Sequence, residues 1–173
     1  MAYNGPVTSN PKYKLFIVRP TVESGTDYAA GDVLFAPTEI QNVFAEAGES
    51  ARIESITIFC KGTTQDPALI LYFTNSSTAF GTINATADAA VGVLEEIQMI
   101  CPVVAADYEA GSYRTDNAGF ALGNQLTLPY GVITGNNWAG TNKTTGIHVT
   151  AIATDTINFA STTDLIIRVG VEY

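Results

Sequence analysis

The chain has 173 residues, of which 46% are apolar and only 14% charged, with a formal net charge of −9. A chain of that length supports one domain with a real core, burying roughly two thirds of the surface it exposes when unfolded, and the apolar share excludes a disordered polymer. Its eight Lys and Arg are spread along the chain and form no cluster that could neutralise phosphates, so nucleic acid is not an expected partner.

The first twelve residues carry no strand-like alternation, and no basic start followed by the apolar centre of a signal peptide. They read as an N-terminal arm, with Tyr3, Asn4 and Pro6 as candidate partner contacts. An extended peptide of this kind can add to a neighbour's sheet edge through main-chain hydrogen bonds. Residues 13–173 then read as a single domain.

Within that domain, short β-prone runs recur between clusters of Gly, Pro, Asn, Asp and Thr. Tyr13 to Arg19, stopped by Pro20, is predicted as a strand buried on both sides. Asp32 to Phe35 is a shorter strand ending before Pro37. Thr38 to Ala47 has Ile40, Val43, Phe44 and Ala47 at helical spacing but is assigned mostly to strand, because its neighbours are β. Ile56 to Cys60 and Leu69 to Phe73 flank Lys61–Pro67 and predict a hairpin in the core, with Gly62 and Asp66-Pro67 as turn chemistry.

Residues 75–90 are small and polar and read as a long ordered loop. Ala89 to Ile100 can begin as a short helix around Leu94-Glu95-Glu96 but is also assigned mostly to strand. Ile97 to Cys101, Leu126 to Ile133, Ile147 to Ala153 and Leu165 to Glu172 complete the strands. In the last of these Leu165, Ile167, Val169 and Val171 alternate with Ile166, Arg168, Gly170 and Glu172. Seven to nine short strands with long ordered loops predict an all-β fold, a two-sheet antiparallel sandwich, jelly-roll-like. The longest strongly apolar run, Ala68 to Phe73, is too short to span a bilayer, so no membrane partner is expected.

Groups that carry chemistry are sparse. The one histidine, His148, falls on the polar face of a strand, and no Gly-x-Ser-x-Gly elbow supports a Ser-His-Asp site. Glu95 and Glu96 are adjacent and point to opposite faces of a strand, which keeps them from acting as the two carboxylates of a glycosidase. Asp107 and Glu109 read as a polar turn, and Asp116-Asn117 supplies too few oxygens for calcium. Cys60 and Cys101 sit among apolar residues and read as buried small hydrophobes, a disulfide between them being the alternative. Zinc lacks ligands, and no glycine-rich phosphate loop leads from a strand into a helix. The expectation is therefore a non-enzymatic chain with no cofactor and no metal. Trp138, in the loop Gly135–Asn142, is a further candidate partner contact; the alternative is that it folds back over a core edge.

Several stretches carry a resemblance: Ile53–Ile58 leading into Lys61–Phe73, then Val103–Tyr108, and finally Ser161–Val171. Together they resemble a group of small virion structural proteins of tailed phages, in spaced patches over roughly residues 30 to 173. Similar β-sandwich proteins decorate or cement capsids, often as trimers where shell subunits meet. The resemblance implies a homo-oligomer, a trimer, on the outer surface of the capsid, bridging and stabilising neighbouring copies of the major capsid protein. The acidic charge agrees with a place away from packaged DNA. The alternative is a phage fibre or adhesion module that recognises surface glycans or a host receptor, for which Trp138 and the Asn-rich loop speak.

Overall fold

The computed structural model describes residues 13–61, 67–105, 120–122, 131–136 and 143–172. The arm with Tyr3, Asn4 and Pro6, and the loop with Trp138, lie outside the described residues.

Among the described residues the elements run β1 (Tyr13–Val18), β2 (Asp27–Tyr28), β3 (Val33–Ile40), β4 (Ser50–Lys61), β5 (Leu69–Thr74), α1 (Val91–Leu94), β6 (Ile97–Val103), β7 (Phe120–Leu122), β8 (Gly131–Thr134), β9 (Ile147–Ala153), β10 (Ile157–Asn158) and β11 (Leu165–Glu172). They build two antiparallel sheets. Sheet one has the order β1-β11-β4, with β7 and β8 both pairing the far side of the long strand β4. Sheet two has the order β3-β9-β5-β6. The chain crosses between sheets from β1 to β3, from β3 to β4, from β4 to β5, from β6 to β7, from β8 to β9 and from β9 to β11. At the two ends of the sandwich β1 contacts β3 and β8 contacts β6. Interleaved strands wrapped in this way form a jelly roll, the all-β sandwich that the alternation predicts.

Period-two alternation explains what lies between the sheets. From sheet one come Ile56, Ile58 and Cys60 of β4 with Leu165, Ile167, Val169 and Val171 of β11, all at most 2% exposed. Sheet two answers with Leu69, Leu71 and Phe73 of β5 and with Ile147, Val149, Ala151 and Ala153 of β9, also at most 1% exposed. Each Leu, Ile or Phe withdrawn so completely from water stabilises the fold by about 1.5–3 kcal/mol before chain entropy is counted. The short β2–β10 ladder closes one end of the sandwich. There Tyr28 is wholly buried, edge-on to Phe159 at 5.9 Å. Its hydroxyl donates to the Leu34 carbonyl at 3.1 Å and accepts the Glu23 N–H at 2.6 Å.

Several sequence expectations need correction. β4 and β5 are strands in the core, but they do not form a hairpin. β4 pairs β11 along its length and β5 pairs β9 and β6, so the two face each other across the core in opposite sheets. A connection seven residues long does not by itself impose hairpin pairing, and β11 offers β4 a longer ladder than β5 could. β1 is not buried on both sides: it is an edge strand on which Tyr13, Leu15 and Ile17 are 56%, 53% and 51% exposed. β3 runs on through Pro37 instead of stopping before it. The β3–β9 register shifts between Phe35 and Thr38, and a proline is accommodated where the ladder needs no N–H. After Ile40 the chain turns through Asn42 in a left-handed conformation (φ 57°), so Val43 and Phe44 reach the core from a turn and not from a strand. Residues 91–94 form one helical turn, and the strand begins only at Ile97. The expected strand Leu126 to Ile133 is observed as Gly131–Thr134, its first part lying outside the described residues.

Residues 75–90 form the long loop expected. The loop returns over the outer face of sheet two and builds a second, smaller core. Val33, Phe80 and Val93 are its buried members, with Tyr72, Ile97 and Ile152 packed against them. Phe80 is the one aromatic residue in that run, wholly buried, and pins the loop to the sheet.

Candidate functional site

The outer face of sheet one carries the row Tyr13, Leu15, Ile17 because these residues alternate with Lys14, Phe16 and Val18, which turn towards sheet two. Beside it runs the outward row of β11, with Gly170 opposite Leu15 and Arg168 opposite Ile17. Next come Ser55, Thr57 and Phe59 of β4. The Tyr13 ring lies across Gly170, and its hydroxyl meets the Ser55 hydroxyl at 3.2 Å, spanning three strands. A Cβ on Gly170 would sit 2.8 Å from Tyr13 Cζ and closer still to both hydroxyls, so only glycine allows that crossing. At one end of the face Arg52 pairs with Glu54 at 3.2 Å and with Glu172 at 3.8 Å. Exposed pairs of this kind contribute about 0–1 kcal/mol each. Towards the other end Arg168 lies 4.7 Å above the Phe59 ring, beside Ile17 and Ile166. The face is therefore apolar around Leu15, Ile17, Ile166 and Phe59, with the Arg168 guanidinium among them and the Arg52 ion pairs at its far corner.

The edge of β1 that does not pair β11 is hydrogen-bonded to no other strand among the described residues. Exposed edges are normally blunted by Pro, bulges or charge. β1 reads Tyr-Lys-Leu-Phe-Ile-Val, and its single charge, the exposed Lys14, is drawn aside by donating from Nζ to the Asn42 carbonyl at 3.4 Å. An edge of such composition is suited to lateral association.

A prediction follows from the Tyr13 crossing. Gly170→Ala is expected to cost about 1–3 kcal/mol by overpacking, seen as a lower urea midpoint. Most of that loss should disappear in a Tyr13→Ala/Ser55→Ala background, because the colliding hydroxyls are gone. Equal losses in both backgrounds would mean that the crossing is not what excludes a side chain.

His148 does point outward from sheet two, as alternation predicts, between Glu39 of β3 and Thr74 of β5. It is half-buried, and its Nδ1 is enclosed with no hydrogen-bond partner among the described residues. Burial pushes its pKa below the ordinary 6.5, while the Glu39 carboxylate pulls the other way. The unfolded chain therefore takes up a proton here more readily than the folded chain does. Stability should be full above pH 6.5, fall as the pH drops through that value, and level off below the folded pKa. His148→Gln should flatten this part of the curve between about pH 7 and 5 in denaturant titrations. An unchanged slope would show that the ring is as well solvated folded as unfolded.

The remaining sequence candidates stay apart. Glu95 ends α1, and the Glu96 carbonyl accepts the Asn75 N–H at 3.1 Å. Cys60 in sheet one and Cys101 in sheet two are buried thiols not joined to each other. Among the described residues no group of three His, Cys, Asp and Glu could hold a metal ion. Asp107, Glu109, Asp116, Tyr3, Asn4, Pro6 and Trp138 lie outside the described residues. No family model, curated protein or solved structure matches this chain. The surfaces themselves therefore have to carry the functional reading.

Sequence reasoning missed two features. One is the exposed row of β1, for which Lys14 inside an otherwise apolar run was the available signal. The other is a cleft of about 280 Å³ on the outer face of sheet two, walled by Tyr72, Phe80 and Leu94 among others. Burial raises the Tyr72 pKa there. Phe80, the one aromatic in its otherwise mostly polar loop, was the signal for this second layer.

Proposed function

We propose that this chain is a non-enzymatic structural protein of a virion, a decoration or cement protein on the outer surface of a capsid. It self-associates, as a trimer, and bridges neighbouring copies of the major capsid protein. The observation that carries the reading is the uncovered apolar row Tyr13, Leu15, Ile17 on an open edge strand, in a chain with only 14% charged residues. A surface of that kind is suited to burial against neighbours. The jelly roll agrees with a shell component without requiring one, since the same architecture serves lectins and cupins. The sequence resemblance to tailed-phage virion proteins supplies the kind of assembly. Residues 1–12, with Tyr3, Asn4 and Pro6, precede β1 in the sequence and would serve as the arm that reaches a neighbour. Many modest contacts repeated over a closed shell multiply into a large effect.

The test is a heat and osmotic challenge of shells with and without the protein. Shells that carry it should survive conditions that open bare ones, and a chain lacking residues 1–12 should bind and protect less well. Bare shells as robust as decorated ones would remove the cementing role.

A further inference from the structure

We propose that the cleft on the outer face of sheet two is a docking site for a basic side chain, lysine or arginine, presented by a partner protein. The inference does not depend on the shell reading. The cleft floor is Tyr72 of β5 and Ile152 of β9, on neighbouring strands. One wall is Phe80, whose ring centroid lies 5.2 Å from that of Tyr72 at a tilt of 52°. Ala87 and Ala89 also line it, and Leu94, 48% exposed, stands at the end of α1.

The wall is built into the fold and is not a loose loop. The Asp88 N–H donates to the Phe80 carbonyl at 2.7 Å, and the Ala87 N–H to the Gly31 carbonyl at 2.9 Å. Gly81 makes the tight passage possible. Its φ is +145°, and a Cβ there would lie 3.2 Å from the Asp88 nitrogen.

Among the described lining residues Asp88 is the one ionised group. It is exposed, and no described cation pairs with it. An occupant must therefore offer an apolar body to the aromatic and aliphatic walls and a positive end to the carboxylate. Lysine and arginine side chains have that shape, a hydrocarbon stem with a charged head. A cation close to the half-buried Tyr72 ring would gain further from its quadrupole. An anion is opposed by Asp88 and by the net charge of −9. A neutral apolar side chain would gain nothing from the carboxylate.

The experiment is a nuclear magnetic resonance titration of the full chain with the N-acetyl amides of lysine, arginine, norleucine and glutamate, and with a neutral methyl glycoside. Ligands of this size bind in the millimolar range. The two basic amides should shift the backbone resonances of Tyr72, Phe80, Asp88 and Leu94. Norleucine should bind more weakly, and glutamate and the glycoside should leave those resonances unmoved. Asp88→Asn should weaken lysine binding by about two- to five-fold without changing norleucine, and added salt should act the same way. The proposal is overturned if norleucine binds as well as lysine, if Asp88→Asn changes nothing, if the glycoside is the ligand that binds, or if no ligand shifts these four residues at tens of millimolar.

Discussion

Leu71→Asp is expected to abolish folding. Leu71 lies in the middle of β5, wholly buried, paired with Cys101 on one side and Ala151 on the other. Its side chain points into the core that also holds Ile56, Ile58 and Ile167. An aspartate here has to enter ionised without a partner or take up a proton, and either route costs several kcal/mol. The lost leucine packing adds the penalty of a cavity, about 2–5 kcal/mol in Leu→Ala exchanges. Together these approach the whole stability of a typical domain, about 5–15 kcal/mol. The expected observation is an insoluble product, or one with no cooperative thermal transition. Leu71→Met, which nearly conserves volume, should fold with a loss below about 1.5 kcal/mol. A soluble Leu71→Asp variant with an unchanged melting temperature would contradict the placement of β5 between the sheets.

The second large effect is on association. Leu15→Lys/Ile17→Lys replaces two side chains that are 53% and 51% exposed in the single chain. Folding should hardly respond, since substitutions on an exposed face usually stay within about 0.5 kcal/mol. If this row is the self-association face, each interface would have to bury unpaired ammonium groups, and the dissociation constant should rise at least about tenfold. Val91→Lys is the control. It changes a residue 71% exposed on α1, away from sheet one, and should leave assembly intact. Sedimentation velocity at micromolar concentration separates the outcomes. A wild-type chain that runs only as a monomer, or a double variant that associates as the wild type does, would remove the β1 face from the account.

The strands β9 and β11 were legible residue for residue, because an unbroken period of two over seven or eight residues has few other readings. Pairing was not legible. The row Leu69, Leu71, Phe73 fits beside Ile56, Ile58, Cys60 as well as across from it, and only the whole set of strands decides. The exposure of β1 was hidden for a related reason: an apolar strand looks the same whether a second layer covers its outer face or nothing does. The short helix Val91–Leu94 gave way to strand in the sequence reading because four residues are too few to establish a helical period. The cleft beside it could not be read from spacing, since it arises where residues 75–94 fold back onto Tyr72 and Ile152. Of the residues singled out as partner contacts, Tyr3, Asn4, Pro6 and Trp138, none lies among the described residues. The surface offered in their place comes from the sheet.

The shell role is tested most directly by quantitative mass spectrometry of purified virions that carry this protein, with the major capsid protein as internal reference. A decoration protein should appear in a fixed ratio to the capsid subunit, with a copy number of the same order as that subunit. Absence from the particle, or the few copies expected of a tail or fibre component, would contradict it.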